Sequence, residues 1–596
     1  MPPLRRRSRP HDLAFDPRAH RRELAAILEA VARAPVLDAR ALDRIVKRHP
    51  KSGSGLFSKS EIIAGYRALG AADRWPLDEV RFVARLRMRP VRTLSGVTPV
   101  TVLTRPHPCP GRCIFCPNDV RMPKSYLADE PGAQRAEDNR FDPYLQTWNR
   151  LSAYRDIGHP VDKVELIVLG GTWSFLPEPY QRWFVKRCFD AMNDFGAALD
   201  GRREAEALAA PAGFGELPER LDGENLERSY NQQVSAFLGR ERDEQLLHER
   251  ERGSWGELEE AQRKNEVARI RCVGLSLETR PDRVTPEEGV RLRRLGATKI
   301  QLGIQSLSDR VLDMNQRGHD VAATRRALAL LRRLGFKLQA HYMVNLHGAT
   351  PGGDVAGFQS LFEDPDFRPD ELKLYPCALI ESAELVGHWR RGEWRPYPEV
   401  ELLEVLEACL EQVPEYCRLS RVIRDFSAHD IVTGSRIANL REVAEDRIRQ
   451  CGGRLRDIRS REIRDTACDV EALELIDRVY ASSTGEEHFL ELQTVDDRLA
   501  GFLRLSLPDG RAPLDELEGC ELLREVHVYG ASLALGLRTD GEAQHRGLGR
   551  RLVDRALELA RTAGHSRLAV ISAVGTREYY RSLGFEDGEL YQSRAT

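Results

Sequence analysis

No run of this 596-residue chain approaches the ~18–20 consecutive apolar residues that cross a bilayer, so a helical membrane protein is not expected. The basic first residues lack the apolar stretch of a signal peptide, which argues against export. Cysteine is scarce and odd in number: there are 11, eight of them scattered outside one triplet. That is no disulfide framework, and it points to a reducing, cytoplasmic setting. Net charge is almost absent at −2, and 41% hydrophobic with 31% charged residues is the composition of a soluble globular protein. The length exceeds a single core and predicts three or four units.

The near-neutral total conceals a segregation. Residues 1–90 hold 20 Lys+Arg against 10 Asp+Glu, and the rest of the chain holds 70 against 82. Segregated positive charge is the footprint of a polyanionic partner, whereas the run Arg5-Arg6-Arg7 alone reads as a solubilising tail. Lys47, Arg48, Lys51 and Lys59 surround a Gly/Ser-rich loop, and Arg81, Arg85, Arg87, Arg89 and Arg92 follow on an amphipathic stretch. Such groups suit phosphate contacts that position an RNA without reading its sequence.

The triplet is the run Cys109-Pro-Gly-Arg-Cys113-Ile-Phe-Cys116. Three thiolates on one loop hold three irons of a 4Fe–4S cube and leave the fourth open, where S-adenosylmethionine (SAM) can chelate and be reductively cleaved. Electron-transfer ferredoxins close that position with a fourth cysteine. Zinc is the alternative, with His107 as a fourth ligand, although structural zinc more often shows paired C-x2-C knuckles.

Short helices are predicted at 22–34 and 60–69. From residue 97 apolar strands at 97–103, 163–169, 270–277, 299–304, 337–344 and 371–374 alternate with amphipathic helices, the pattern of a parallel sheet in an open or closed barrel. The cysteine loop follows the first strand, at the end where barrels carry their chemistry. Residues 198–265 read as a helical insertion without chemistry. Residues 377–465 read as a helical connector whose Cys377, Cys409, Cys417 and Cys451 are spaced like buried thiols rather than a second metal site. A second α/β domain is predicted from 466, with antiparallel strands at 499–507 and 521–529, a helix at 550–562 and a strand at 568–572. The boundaries expected are therefore 1–90, 91–376, 377–465 and 466–596.

Two glycine features mark ligand approaches. Gly170-Gly171-Thr172 follows the strand at 163–169 and can meet the amino group of SAM, and Glu278 and Gln305 put polar groups at two other strand ends. Gln544-His-Arg-Gly547-Leu548-Gly549 precedes Arg550 and a helix, a seat for a pyrophosphate. With Tyr529 before it and Tyr580 after it, this run resembles the acyl-CoA pattern of the GNAT acetyltransferases.

A SAM-cleaving barrel fused to a CoA-binding domain behind a basic N-terminus resembles the family of the catalytic subunit of Elongator in its bacterial single-chain form, from about Arg44 onward. The resemblance is carried by Pro90-Val-Arg92-Thr-Leu-Ser95-Gly96-Val97, Phe141-Asp-Pro-Tyr144, Val161-Asp-Lys163-Val-Glu165, Glu278-Thr-Arg280-Pro-Asp282 and Gly303-Ile-Gln305-Ser306. Further marks are Arg317-Gly-His319, Leu372-Lys373-Leu-Tyr375-Pro376, Arg421-Val-Ile-Arg424-Asp425, Glu525-Val-His527-Val-Tyr529-Gly530 and Gly575-Thr-Arg577-Glu-Tyr579-Tyr580. The chain departs from the pattern at Val344 and His347, where prolines are usual, and around Phe426-Ser-Ala-His-Asp430.

The resemblance implies a radical SAM barrel and a GNAT domain behind a helical RNA-binding region. It implies formation of 5-carboxymethyluridine at the wobble position, 34, of tRNA: SAM is cleaved to a 5′-deoxyadenosyl radical, which activates the methyl of acetyl-CoA for addition to C5 of the base. It carries cluster binding onto Cys109, Cys113 and Cys116, and acetyl-CoA contact onto Lys163, Glu525, Val526, His527, Val528, Gln544, Gly547, Leu548, Gly549, Arg550 and Tyr580. Lys163, His527, Tyr579 and Tyr580 are the catalytic candidates. The partners implied are the tRNA anticodon arm and a reductant such as ferredoxin or flavodoxin. A lysine acetyltransferase acting through the GNAT domain alone, or an RNA-binding scaffold with a structural cluster, are the rivals.

Overall fold

Near the N-terminus Leu24, Ile27, Leu28 and Val31 recur at helical spacing and fill one buried face of the helix Arg21–Arg33. In the computed structural model, which describes residues 15–51, 55–69, 77–87, 96–209, 229–238, 250–424, 426–463, 469–529 and 547–596, that face joins Ile62, Ile63 and Tyr66 of Lys59–Leu69 and Phe82 and Leu86 of Glu79–Leu86 in one core. Asp38 caps Ala39–Arg48 by accepting from the Ala41 amide at 2.6 Å, and Asp78 caps Glu79–Leu86 through Arg81 at 2.9 Å. These helices belong to a compact unit of Met1–Thr93 with Arg150–Val161; the other unit comprises Leu94–Asn149 and Asp162–Thr596. Two of the predicted RNA-contacting residues, Arg89 and Arg92, lie outside the described residues, as does Gln544.

The second unit is built on two seven-stranded sheets. The first is parallel and runs in chain order: β1 (Thr98–Leu103), β2 (Lys163–Leu169), β3 (Arg271–Thr279), β4 (Lys299–Gln305), β5 (Lys337–Val344), β6 (Glu371–Pro376) and β8 (Arg418–Arg421). Helices such as Glu178–Ala197 and Val321–Arg333 cover its outer face, giving an open, curled half-barrel. On β2 the buried Val164, Leu166 and Val168 alternate with the more accessible Lys163, Glu165, Ile167 and Leu169, so the period of two turns the second set toward the lumen. Six strands fall where they were predicted. The seventh, β8, lies inside the stretch expected to be a helical connector, as do the short antiparallel partners β7 (Leu379–Ile380) and β9 (Ile431–Thr433). The sheet therefore continues past residue 376. The described parts of 198–265 include the helices Arg202–Leu208 and Tyr230–Leu238 and most of Trp255–Glu266.

The second sheet is an antiparallel meander of β10 (Glu474–Ser482), β11 (Gly485–Gln493), β12 (Leu499–Pro508) and β13 (Cys520–Val528). A parallel strand, β14 (Arg567–Val570), follows the helix Leu548–Thr562, and β15 (Glu586–Asp587) and β16 (Gln592–Ala595) close the edge.

The two sheets meet at the amino-terminal ends of the barrel strands. There Asp370 accepts from Arg524 at 2.7 and 2.8 Å, with Arg504 3.4 Å away, and all three are essentially without exposure. Tyr591 donates to the Leu334 carbonyl at 2.7 Å, and Arg293 to the Ser572 and Leu590 carbonyls. At Gly575 the approach is so close that a Cβ would stand 2.8 Å from the Cys272 carbonyl oxygen.

Candidate active site

The loop after β1 carries the three cysteines to the carboxyl end of the half-barrel, where all three line a cavity of about 380 Å³. The loop is held from several directions. Asn231 accepts from the Cys109 amide at 2.9 Å and donates to its carbonyl at 2.7 Å. Ile114 donates to the Asn315 carbonyl and accepts from the Leu385 amide. Cys113 is 5% exposed, and Arg317 donates to its sulfur at 3.2 Å while Arg280 stands 3.9 Å away. A hydrogen bond from Cys116, then the two guanidinium charges, hold the Cys113 thiol well below its ordinary pKa against the opposing effect of burial. A thiol held low beside two guanidiniums, on a closely packed loop with two further cysteines, suits an iron–sulfur cluster, so the residues fit one. A Cβ on Gly111 would displace the Arg280 guanidinium, so glycine lets that group approach the loop.

The residues expected to meet SAM surround the same space. Gly171, Thr172, Glu278 and Gln305 line the cavity. Thr172 Oγ1 stands 3.8 Å from Cys109 Sγ, and Gln305 adopts a left-handed φ of 69°, strain of the kind that ligand sites hold. Gly170 has φ 131°, and a Cβ there would collide with Thr104. Lower in the lumen Lys373 donates to Gln301 at 2.6 Å, and His341 lies 3.1 Å from the same oxygen. Burial brings the Lys373 ammonium down to about 8 and holds His341 well below its usual range.

At the amino end the same cavity is lined by Glu165, Lys299, Glu371 and Arg418. Lys299 pairs with Glu165 and Glu371, and Lys337 joins Glu371 at 2.7 Å to Glu525 of β13 at 2.6 Å. Arg418 donates to the Tyr529 hydroxyl at 3.1 Å. Burial alone would raise the Glu525 carboxyl, but Lys337 and Arg504 outweigh it and keep it low. Lys163 stands first on β2, on the face of Glu165, at this same end of the sheet and opposite the cysteines.

β13 itself divides at Leu523. Up to there it pairs with β14, the Ile571 amide donating to Leu523 at 3.2 Å; beyond it Glu525, Val526, His527 and Val528 pair with β12 and, among the described strands, no longer with β14. The two strands part there, and the four residues expected to meet acetyl-CoA lie on the parted segment. His527 stacks on Phe502 at 5.7 Å and packs on Tyr529 at 4.4 Å. Its buried Nε2 has no hydrogen-bond partner among the described residues, and burial lowers its pKa to about 4, so the imidazole is neutral. Gly547, at φ 79°, opens the helix Leu548–Thr562 with no side-chain cap among the described residues, and the first-turn amides of Leu548, Gly549 and Arg550 suit an anion. Tyr579 is 42% exposed, and its hydroxyl lies where a Cβ on Gly549 would be 2.7 Å away. Tyr580 is buried against Phe585, and burial raises its phenol. Neither tyrosine lines the barrel cavity.

In the helical unit Lys47, Arg48 and Arg81 are exposed, Lys47 beside Asp43 and Arg81 beside Asp78, and Lys59 is half-buried. Three other basic residues expected to meet RNA make contacts within the unit. Lys51 is engaged by Glu61 at 2.6 Å and by the rings of Phe15 and Phe57, Arg85 donates to the carbonyls of Ala32 and Ala34, and Arg87 donates to that of Gly158 at 2.9 Å. These groups hold the unit together before they can serve a phosphate. Cys377, Cys409 and Cys417 are buried, with thiols raised by burial, and Cys451 is exposed. Sequence reasoning missed Asn231, inside an insertion that was given no chemistry, and the guanidiniums on Cys113, which are 167 and 204 residues along the chain.

An iron–sulfur loop on a parallel half-barrel, joined to a splayed-strand domain, defines a radical SAM enzyme fused to an acetyltransferase fold. The Radical SAM superfamily matches residues 241–353, the Radical SAM C-terminal domain 369–450 and the Acetyltransferase (GNAT) family 454–585. The chain is 38% identical over 503 residues, 83% of its length and 96% of the relative's, to the tRNA uridine(34) acetyltransferase of Dehalococcoides mccartyi. It is 33% identical over 531 residues, 86% and 85% of the two chains, to Elongator complex protein 3 of Drosophila melanogaster. The solved Methanocaldococcus infernus Elp3 with an N-terminal deletion superposes with a TM-score of 0.64 at 33% identity, over 85% of this chain and all of that one. The chain belongs to the Elongator protein 3 family. Its two domain types imply a 4Fe–4S cluster, SAM and acetyl-CoA.

Proposed function

We propose that this protein places a carboxymethyl group on C5 of the wobble uridine, position 34, of tRNA, drawing the carbon from acetyl-CoA. The observation that carries the reading is a single lumen with cysteines at one end and, at the other, the ion pair Lys337–Glu525 and the hydrogen bond Arg418–Tyr529 that reach the CoA-side strand. The names of the relatives, tRNA uridine(34) acetyltransferase among them, support the substrate. No helix among the described residues is long and apolar enough to cross a membrane.

When bound, the cluster supplies the electron that cleaves SAM. Cys109, Cys113 and Cys116 hold it, and Arg317 and Arg280 stabilise negative charge on its sulfur side. Gly171, Thr172, Glu278 and Gln305 orient SAM. Glu525, Val526, His527 and Val528 lie along the strand that meets the pantetheine, Leu548, Gly549 and Arg550 bind the pyrophosphate, and Lys163 positions the acetyl end at the barrel's amino face. Lys373, near 8, can give or take a proton at neutral pH, and neutral His527 is a proton acceptor on the CoA side. Lys47, Arg48 and Arg81 contribute phosphate contacts, and a ferredoxin or flavodoxin supplies electrons.

The test uses anaerobically reconstituted protein with SAM, reductant, acetyl-labelled acetyl-CoA and bulk tRNA, followed by mass spectrometry of the digested tRNA and assay of 5′-deoxyadenosine. Labelled 5-carboxymethyluridine together with deoxyadenosine is expected, and both vanish in Cys113→Ser while tRNA binding persists. Release of CoA without either product, or transfer of label to protein lysines, would overturn the reading in favour of a lone acetyltransferase.

A further inference from the structure

Behind the cysteine loop, outside the cavity, His347, His388 and Glu393 converge so that one ligand atom from each lies within 4.8 Å of the others. His347 follows β5, whereas His388 sits in the short helix Leu385–Arg390 and Glu393 just after it. The two imidazoles are 4.5 Å apart between ring centres, and His388 Nδ1 is 2.6 Å from a Glu393 oxygen. His347 is only 7% exposed, yet its Nδ1 is buried with no hydrogen-bond partner among the described residues. An orphaned buried nitrogen of that kind is costly, and a ligand that accepts its lone pair removes the cost.

We propose that His347, His388 and Glu393 form a binding site for a divalent zinc-like cation, separate from the iron–sulfur cluster. Two imidazoles and a carboxylate are a borderline-soft ligand set that suits Zn²⁺, with a fourth position open to water. Burial, then the neighbouring His388, favours the neutral His347 ring that coordination needs. Arg391 opposes the ion, since it donates to both Glu393 oxygens at 2.7 and 2.9 Å and stands 3.3 Å from His388. Its side chain is 56% exposed, so it can retain one carboxylate oxygen or withdraw into water.

The position gives the ion a task. The His347 amide donates to the Asn315 side chain and the His347 carbonyl accepts from it, and the Asn315 carbonyl holds the Ile114 amide. Leu385, which opens the helix bearing His388, donates to the Ile114 carbonyl. A metal across His347 and His388 would clasp the two segments that grip Ile114, the residue following Cys113.

The experiment uses full-length protein carrying Cys109→Ser, Cys113→Ser and Cys116→Ser, so that no cluster thiolate competes, stripped with chelator and titrated with Co²⁺ and then Zn²⁺. One equivalent of Co²⁺ with visible d–d bands and no sulfur charge-transfer band is expected, displaced by one equivalent of Zn²⁺. Adding His388→Ala, at a half-buried surface position, or Glu393→Gln should weaken that uptake at least about tenfold, with the thermal unfolding of the metal-free protein retained. Unchanged Co²⁺ uptake in both variants, a thiolate charge-transfer band, or no uptake at all would overturn the assignment.

Discussion

The Cys113 thiol is held low first by its sequence neighbour Cys116 and then by two guanidiniums that only folding brings to it. The triplet was legible from its spacing, because three thiols within eight residues must share a loop whatever the fold. Arg317 and Arg280 were visible only as parts of sequence runs, since nothing local says that their guanidiniums turn to a distant sulfur. Asn231 gave no signal at all, being one amide in a polar insertion. The weight of these contacts can be measured. Arg317→Ala removes the nearer cation from Cys113, so the thiol pKa, held down by Cys116 and by both guanidiniums, should rise. In cluster-free, anaerobic protein the midpoint pH for alkylation of Cys113 should move upward. An unmoved midpoint would show that the Cys116 hydrogen bond alone sets the thiolate.

Among the elements, β1 to β6 were readable because buried parallel strands are apolar runs between amphipathic helices. β8 was not: Arg418-Leu-Ser-Arg421 is four residues with one buried apolar side chain, and only its place beside β6 makes it a strand. The splaying of β13 was likewise hidden, since the pairing to β14 ends without any break in the sequence pattern. The basic residues of the helical unit were legible as charge but not as contacts: Arg85 and Arg87 donate to backbone carbonyls of the same unit. The element boundary with the sharpest energetic consequence is the turn into β6 at Asp370. Its carboxylate is wholly buried between Arg524 and Arg504, and their charges outweigh burial to hold its pKa far below the ordinary range. A folded-state pKa depressed in this way contributes stability that is fully present above the unfolded value of about 4 and is lost as pH falls toward the folded one. Asp370→Asn should therefore cost about 3–5 kcal/mol at pH 7, because it leaves two buried guanidiniums short of a counter-charge. It should also flatten the loss of stability below pH 4. Urea unfolding at pH 7 and at pH 3.5 reads both, and an equal loss at the two values would mean that the carboxylate's charge is not what matters.

Across the whole of the second unit, the ion pairs form a chain from Glu165 through Lys299, Glu371, Lys337, Glu525 and Arg504 to Asp370, Arg524 and Glu487. Buried pairs of this kind add little net stability, because desolvation consumes most of the attraction, but breaking one in place is costly. The chain is better understood as fixing the register in which the CoA-side strand faces the barrel lumen. That distinction predicts a contrast. Separating residues 466–596 from the barrel hydrates Arg504, Arg524, Glu487 and Glu525 together, and leaves intact the domain's own core of Phe489, Leu490, Leu503, Leu552 and Val553, each wholly buried. The isolated domain should therefore unfold cooperatively on heating and still bind acetyl-CoA, although Asp370→Asn in the full chain is strongly destabilising. It should nevertheless support no modification of tRNA when mixed with the remaining fragment, because the Lys337–Glu525 and Arg418–Tyr529 contacts that align the two sites are gone. Differential scanning calorimetry, acetyl-CoA titration and nucleoside mass spectrometry decide the matter. A fragment without a cooperative transition would mean that the interface supplies the domain's stability as well as its alignment, and a fully active mixture would remove the role in alignment.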